Sequence, residues 1–286
     1  MKIIVGKLAG FCYGVNNAVT KAEEIVKREN DVYCIGEIVH NRQVVNKLES
    51  IGMKTIENIE EVPNGKNVIF RSHGMPECAY KKAKEKNLKI FDLTCPSVIA
   101  LHEKVKKKRN DYFIILVGKK GHAENIGTIG FAGENSFIFE NEDDIIDCYK
   151  KYEKSNLNKI YVVFQTTFNM KKAELLAEEI KHEFYETDVI VDNTICNATE
   201  QRQKEVKELA KSVNKMVIVG GKNSSNTLKL VQISEEFCQN VYHVETKEGL
   251  DKNKFDENDI VGIMAGASTP KESIEDVKCF LEQIYF

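Results

Sequence analysis

Short apolar runs alternate along the chain with longer segments in which apolar residues recur every three or four positions. The runs are typical of buried β-strands, and the spaced segments are typical of helices that bury one face. Met170, Ala173, Ala177, Ile180 and Phe184, for example, would share one face of a helix. Since strands and helices alternate throughout, the pattern predicts an α/β fold with parallel-rich sheets and crossover helices.

The pattern occurs three times, and each repeat begins with a cysteine. The three cysteines each follow a strand-like run and open a helix-like segment; they are Cys12, Cys95 and Cys196. A predicted strand then ends in a glycine 23 or 24 residues later, at Gly36, Gly118 and Gly220. The repeats predict three α/β modules, which comprise residues 12–94, residues 95–195, and residues 196–286 together with 1–11. In this arrangement the strand Lys2–Val5 completes the third module.

Polar residues follow the predicted strands at equivalent places in the three repeats. One set of turns carries His40, His122 and the run Ser224, Ser225 and Asn226, and a second set carries His73, Thr166 and Ser268. Ligands of parallel α/β sheets bind outside the carboxyl ends of the strands. We therefore expect these residues to meet at one central pocket.

The three equivalent cysteines suit a metal or an iron–sulfur cluster. Free cysteines are commonly buried as small apolar residues, but their repeat-equivalent placement favours ligation. Each would lie at a helix N-terminus, where the positive end of the helix dipole stabilises a thiolate. A [4Fe–4S] cluster with three cysteine ligands would leave one iron open for chemistry. The other five cysteines have no equivalents in the repeats, and we expect them to be packing residues.

Several strand-end residues also have a purely structural interpretation. Ser224, Ser225 and Asn226 open a helix, where they would form an anion site or only cap the helix. Glu124 would be a general acid in a pocket near thiolates, or a first-turn glutamate that favours the helix dipole. Thr166 would be an ordinary strand residue, although its register with Ser268 favours the pocket.

The composition limits the partners and the compartment. A net charge of −3 over 286 residues gives no electrostatic basis for binding nucleic acid. No apolar stretch approaches the roughly 20 residues that span a membrane. No signal-peptide pattern precedes the first strand, so we expect a cytoplasmic protein whose eight cysteines are reduced rather than paired.

Nine motifs occur in an order that resembles one known family. They are Cys12-Tyr-Gly-Val, Gly-Glu-Ile-Val-His40-Asn, Arg-Ser-His73-Gly, Asp-Leu-Thr-Cys95-Pro, Gly-His122-Ala-Glu124, Gln-Thr166-Thr, Thr-Ile-Cys196-Asn-Ala-Thr, Ser224-Ser225-Asn226 and Ala-Gly-Ala-Ser268-Thr-Pro. The chain is similar over essentially its whole length to the 4-hydroxy-3-methylbut-2-enyl diphosphate reductases, the last enzymes of the non-mevalonate isoprenoid pathway. Its one visible departure from that pattern is Ala123, where we expect proline.

The resemblance implies a trefoil of three α/β modules around a [4Fe–4S] cluster that Cys12, Cys95 and Cys196 hold. The substrate hydroxyl would bind the open iron. The resemblance also implies a diphosphate site, formed by His40, His73, His122, Ser224, Ser225, Asn226 and Ser268. The catalytic residues would be Glu124, Thr166 and His122. Glu124 and Thr166 would relay a proton to the hydroxyl, and Thr166 would also bind the substrate. Two electrons and two protons would then yield isopentenyl and dimethylallyl diphosphates and water.

Two other functions fit parts of this pattern. A non-redox iron–sulfur hydro-lyase that acts on a phosphorylated substrate would also use an open iron, but it would move water without consuming electrons. A phosphate-binding sensor with a structural metal would need a fourth ligand, and no repeat-equivalent fourth cysteine is present. The chain has no fingerprint for NAD or flavin, which favours a separate protein as the electron donor. The resemblance implies that this donor is of the ferredoxin or flavodoxin type.

Overall fold

The structure is a computed structural model that describes residues 1–285. Phe286, the last residue of the predicted third module, lies outside the described residues. The chain forms two compact units. The first contains Met1–Asn16, Val39–Lys47 and the chain from Asn197 onward, and the second contains Asn17–Ile38 and Leu48–Cys196.

The first unit contains one sheet of four parallel strands, and its edge strand comes from the start of the chain. Its strands are β1 (Lys2–Val5), β10 (Lys215–Val219), β11 (Val241–Val244) and β12 (Ile260–Ala265), in the order β1-β12-β10-β11. Lys2 pairs with Ile260 and Val5 with Ile263. The expectation that the first strand completes the third repeat is confirmed.

The second unit contains two more sheets of four parallel strands. One has the order β3-β2-β4-β5, with β2 (Val32–Ile35), β3 (Met53–Ile56), β4 (Asn67–Phe70) and β5 (Lys89–Asp92). The other has the order β7-β6-β8-β9, with β6 (Phe113–Val117), β7 (Ser136–Phe139), β8 (Lys159–Phe164) and β9 (Asp188–Val191). The three sheets share one connectivity, in which β1 takes the place of β5 and β9. The predicted α/β class with parallel sheets is therefore confirmed.

Two short edge strands were not predicted. The apolar pattern predicts a helix that leads directly into the next buried strand, whereas β3 and β7 intervene. Each has four residues and lies at a sheet edge. Only a short turn separates β3 from α2 and β7 from α5, so each strand resembles the end of the helical segment before it.

Ten α-helices connect the strands within residues 1–285. They are α1 (Tyr13–Arg28), α2 (Arg42–Ser50), α3 (Glu77–Glu85), α4 (Pro96–Lys108), α5 (Ala123–Ala132), α6 (Ile145–Glu153), α7 (Met170–Glu183), α8 (Asn197–Ser212), α9 (Ser225–Phe237) and α10 (Lys271–Glu282). Helix α7 buries the predicted face, including Ala173, Ala177 and Ile180. None of these helices combines the length and low charge that crossing a membrane requires.

Apolar side chains cover both faces of the central strands. Strand β6 shows this clearly because all five of its side chains are fully buried. Phe113, Ile115 and Val117 pack on one face with α7, while Ile114 and Leu116 pack on the other face with α4. Parallel strands that helices cover on both faces read as continuous apolar runs, so the polar groups concentrate at the strand ends.

Candidate active site

The three cysteines predicted as ligands lie at equivalent places in the fold. Each follows the last strand of its sheet in the shared connectivity and directly precedes a helix: Cys12 precedes α1, Cys95 precedes α4 and Cys196 precedes α8. All three are only partly buried, and none of them forms a disulfide. Cys12 Sγ also accepts the main-chain N–H of Val15 at 3.5 Å, in the first turn of α1.

A main-chain hydrogen bond fixes each of these cysteines in the same way. In each case the cysteine N–H donates to the carbonyl oxygen two residues beyond the end of a central strand, which is β12, β4 or β8. The three bonds are Cys12 to Ala267 at 3.2 Å, Cys95 to Ser72 at 3.0 Å and Cys196 to Thr166 at 3.0 Å. The predicted repeat therefore extends to single backbone atoms.

Two of the remaining cysteines are clearly packing residues. Cys34 and Cys148 are fully buried, and burial raises the pKa of each thiol to about 12. A thiol that resists ionisation is a poor metal ligand, since the thiolate is the form that binds. Among residues 1–285, no three His, Cys, Asp or Glu side chains form a ready metal-binding group. Since Cys12 belongs to the first unit and Cys95 and Cys196 to the second, their assignment rests on equivalence.

In the first unit, the structure brings His40 next to Ser268. Ser268 Oγ donates to the carbonyl oxygen of His40 at 3.2 Å, although 228 residues separate them. The same carbonyl oxygen approaches Gly221 so closely that a Cβ added there would lie 2.7 Å from it. Gly221 therefore allows the turn before α9 to meet the turn before α2.

The start of α9 carries Ser224, Ser225 and Asn226, as predicted. Ser224 is the N-cap, and its side chain accepts the N–H of Thr227 at 3.3 Å. The capping interpretation is thus correct for Ser224. Asn226 is 5% exposed, and its Nδ2 has no hydrogen-bond partner within the described residues. A buried donor at a helix N-terminus fits an anionic ligand that would accept from it.

In the second unit, His122 caps α5 and lies beside His73. His122 Nδ1 accepts the N–H of Glu124 at 3.2 Å, so a neutral ring carries its proton on Nε2. The centroids of the His73 and His122 rings are 5.8 Å apart, with the rings nearly perpendicular. The two predicted histidines therefore form one cluster of ring nitrogens at the ends of β4 and β6.

Glu124 and Thr166 form a buried hydrogen-bonded pair. Glu124 is 2% exposed; its Oε1 accepts the Thr166 N–H at 2.6 Å and its Oε2 accepts the Thr166 hydroxyl at 2.8 Å. Burial raises the pKa of Glu124 from 4.5 to about 7, and the two bonds from Thr166 act in the opposite direction. A carboxyl group that titrates near neutral pH suits general acid catalysis. Their contact joins the turns that follow β6 and β8.

Two residues that support this pair were not predicted. Gln165 Oε1 accepts the N–H of Lys119 at 3.1 Å and an amide N–H of Asn125 at 3.0 Å. Asn125 Nδ2 also donates to the carbonyl oxygen of Lys119 at 2.9 Å. These bonds tie the first turn of α5 to the end of β8. The only signal in the sequence is adjacency, since Asn125 follows Glu124 and Gln165 precedes Thr166.

The predicted site residues thus form local groups within the units. The first unit holds Cys12, His40, Ser224, Ser225, Asn226 and Ser268, and the second holds His73, Cys95, His122, Glu124, Thr166 and Cys196. Direct contacts join His40 with Ser268 and Glu124 with Thr166. That all of these residues line one pocket stays a prediction.

Comparisons with known proteins agree on one family. The profile of the family described as LytB protein matches residues 3–282. A protein of Clostridioides difficile strain 630 named 4-hydroxy-3-methylbut-2-enyl diphosphate reductase is 40% identical over 99% of this chain and 100% of its own length. A protein of Aquifex aeolicus strain VF5 with the same name is 43% identical over 99% of this chain and 96% of its own length.

Two solved structures are similar to this chain. The E-1-hydroxy-2-methyl-but-2-enyl-4-diphosphate reductase of Plasmodium falciparum matches with a TM-score of 0.89 and 31% identity, over 99% of this chain and 88% of that one. A structure of (E)-4-hydroxy-3-methyl-but-2-enyl diphosphate reductase, described as the terminal enzyme of the non-mevalonate pathway, matches with a TM-score of 0.71 and 42% identity. That match covers 99% of this chain and all of that one.

Proposed function

This chain belongs to the LytB protein family, and we propose from that premise that it catalyses the reductive dehydroxylation of (E)-4-hydroxy-3-methylbut-2-enyl diphosphate. The substrate takes up two electrons and two protons, its allylic C–O bond breaks, and water leaves. The products are isopentenyl and dimethylallyl diphosphates. Relatives with this activity in their names support the assignment, since each match covers 99% of this chain and at least 96% of the relative.

The family is one of iron–sulfur enzymes, and we propose that Cys12, Cys95 and Cys196 hold a [4Fe–4S] cluster with one open iron. The observation that carries this proposal is the equivalent N–H···O bond that fixes each cysteine at the start of a helix. Three partly buried thiols of this kind fit the thiolate ligands that iron–sulfur clusters require. When bound, such a cluster supplies a Lewis acid for the allylic oxygen and accepts electrons singly.

We propose that the diphosphate binds to neutral and cationic donors that follow the strand ends. The proposed residues are His40, His73, His122, Ser224, Ser225, Asn226 and Ser268. Asn226 supports this assignment with its buried, unpartnered Nδ2 donor, and His122 supports it with the N–H that capping leaves on Nε2. Binding energy from this remote group would hold the carbon skeleton in place for the reaction.

We propose that Glu124 donates the proton that converts the leaving hydroxyl to water. Its carboxyl group is buried and has a pKa of about 7, so a large fraction carries a proton at neutral pH. Thr166 holds both carboxyl oxygens and would relay the proton through its hydroxyl. His122 supports the arrangement from the other side, because its ring accepts the N–H of Glu124.

The electrons must come from outside the chain. We propose a one-electron protein donor of the ferredoxin or flavodoxin type, with no role for nucleic acid or membrane. We also propose that the protein works in the cytoplasm, where a reducing environment would keep its cysteines as thiols rather than disulfides.

Anaerobic purification followed by iron and acid-labile sulfide analysis tests the cluster assignment. We expect roughly four irons per chain and an EPR signal of the reduced protein that changes when the allylic diphosphate is added. Cys12→Ser, Cys95→Ser and Cys196→Ser should each lose most of the iron. The matched controls are the exposed cysteines Cys279, on α10, and Cys78, on α3, whose serine variants should keep it.

Product analysis tests the reaction itself. With a one-electron reductant, the parental protein should release isopentenyl and dimethylallyl diphosphates, and without reductant it should release neither. A protein that moves water without consuming electrons would contradict the proposed reaction. Full iron content in any one of the three serine variants would remove that cysteine from the ligand set.

A further inference from the structure

Side chains of α8 hold the loop that leads from β1 to Cys12, although nearly 200 residues separate them in sequence. Glu205 accepts the main-chain N–H of Lys7 at 2.6 Å and that of Leu8 at 2.9 Å. Arg202 Nη2 donates to the carbonyl oxygen of Gly10 at 2.8 Å. Arg202 and Glu205 are three positions apart and so share one face of the helix. We call these two residues the α8 clamp.

Arg202 is buried unusually deeply for an arginine. Its residue exposure is 4%, whereas arginine is almost never fully buried unless it is paired. Its Nη1 donates to the carbonyl oxygen of Ala198 in α8 itself, at 3.1 Å. The guanidinium therefore bridges α8 and the loop, and its fixed fork of donors sets the loop position. Removing a charged group from water is costly, which suggests that this cation has a use beyond stability.

The position of the clamp relative to Cys12 indicates that use. Gly10, whose carbonyl Arg202 holds, is two residues before Cys12, and the Cys12 N–H is itself held by Ala267. Since consecutive Cα atoms are 3.8 Å apart, the guanidinium lies within roughly 10 Å of the Cys12 backbone. Helix α8 also begins directly after Cys196. Arg202 therefore holds the loop that leads to Cys12, and it does so from the helix that directly follows Cys196.

We propose that Arg202 is a positioning residue for the cluster ligand Cys12. It fixes the loop that presents the Cys12 thiolate, and its buried positive charge favours the reduced, more negative state of the cluster. Glu205 shares the first task and not the second, since it holds the loop without a positive charge. This proposal rests on the proposed function in one respect, namely that Cys12 binds the cluster.

Hydrogen–deuterium exchange of the full chain tests the clamp without reference to the cluster. Arg202→Met should raise exchange in residues 6–12 by roughly tenfold or more, because the loop loses a charged hydrogen bond. Glu205→Gln should do the same, most strongly at Lys7 and Leu8. The matched control is Glu208→Gln, the same change one turn further along α8, where Glu208 pairs with exposed Lys211.

The reduction potential of the loaded protein tests the charge. Arg202→Met should have a more negative potential than the parental protein, whereas Arg202→Lys should stay near the parental value. The lysine variant should still show fast exchange in residues 6–12, because one ammonium group cannot reproduce the planar fork of arginine. Glu205→Gln should loosen the loop without lowering the potential, so that the two tasks separate.

Unchanged exchange in Arg202→Met would overturn the clamp, and so would an equal increase in Glu208→Gln, since that would indicate general loosening of α8. An unchanged potential in Arg202→Met would overturn the electrostatic task. A parental protein that binds no cluster would instead contradict the proposed function, and the exchange experiment would still decide whether the clamp holds the loop.

Discussion

Replacing Thr166 by valine tests whether Glu124 is the proton donor. Glu124 accepts two hydrogen bonds from this one residue, from its main-chain N–H and from its hydroxyl. Valine keeps the shape and the main-chain bond but removes the hydroxyl. The ionised carboxylate then loses one of the donors that stabilise it, while burial continues to favour the protonated acid.

The expected shift follows from the strength of the lost bond. A hydrogen bond to a charged group is worth about 1.5–3 kcal/mol, and one pKa unit corresponds to about 1.4 kcal/mol. The pKa of Glu124 should therefore rise by roughly one to two units in Thr166→Val. Since the protonated acid is the active form, activity should fall as the pH rises through about 7 in the parental protein. In the variant that fall should occur at correspondingly higher pH.

The assay is the pH profile of kcat/KM with a chemical reductant under anaerobic conditions. Because Thr166 is also proposed to touch the substrate, the midpoint of the falling limb is the measured quantity rather than the height of the profile. Thr166→Ser is the matched control, since serine keeps the hydroxyl and should keep the midpoint near 7. Infrared titration of the Glu124 carboxyl band, assigned by its loss in Glu124→Gln, measures the same pKa without turnover.

Three results would refute this reasoning. A falling limb at the same pH in Thr166→Val and Thr166→Ser would mean that the hydroxyl does not stabilise the carboxylate. Parental activity in Glu124→Gln would mean that the proton comes from another group. A profile that moves to lower pH in Thr166→Val would reverse the sign of the argument.

The same structure makes three predictions about stability, each measured by equilibrium unfolding. Because the pKa of Glu124 is raised, its contribution to the free energy of unfolding is complete below pH 4.5 and is lost as the pH rises through about 7. The free energy of unfolding of the parental protein should therefore fall by roughly 3 kcal/mol across that window, and Glu124→Gln should lack this loss. Gly74 has a φ of 80°, and a Cβ there would lie 2.6 Å from His102, so Gly74→Ala should lower the free energy of unfolding by roughly 2 kcal/mol. Adding His102→Ala to that variant should remove the part of this cost that comes from the clash with His102. Asp259→Asn should lower the free energy of unfolding by roughly 3 kcal/mol, because it leaves the mostly buried Lys215 ammonium without its main charged partner. For each of the three predictions, little change in the variant's stability would contradict it.

The sequence was sufficient to predict the strand-end residues because parallel sheets follow a strict geometric rule. Once apolar runs mark the strands, their carboxyl ends lie at one edge of the sheet. Glu124 and Thr166 follow neighbouring strands β6 and β8, and this adjacency brings them into contact. Cys12, Cys95 and Cys196 were identified in the same way, since each follows a strand-like run. Their equivalence is visible in the similar distance from each cysteine to the glycine that ends the next strand.

Features that depend on distant side chains had no comparable signal. The α8 clamp joins Arg202 and Glu205 to a loop nearly 200 residues away, and neither residue differs locally from an ordinary helix position. The sequence indicated Glu124 as a candidate general acid, but the cause of its raised pKa is burial by many neighbours, which no local pattern encodes. The strands β3 and β7 were missed for a different reason, since only a short turn separates each of them from the helix before it.

The repeat also explains how one backbone plan serves a substrate with two unlike ends. Each copy caps the helix that follows its first strand with a side chain: Asn41 caps α2, His122 caps α5 and Ser224 caps α9. Two residues beyond these caps the three copies carry Gln43, Glu124 and Asn226. The backbone position is the same, but only the second copy has an acid.

An allylic alcohol needs a proton donor at one end, and its diphosphate needs uncharged or cationic donors at the other. A second carboxylate in place of Asn226 would repel the diphosphate, and an amide in place of Glu124 would have no acidic proton to give. The proposed roles of Glu124 and Asn226 therefore follow from divergence at one equivalent position of the repeat.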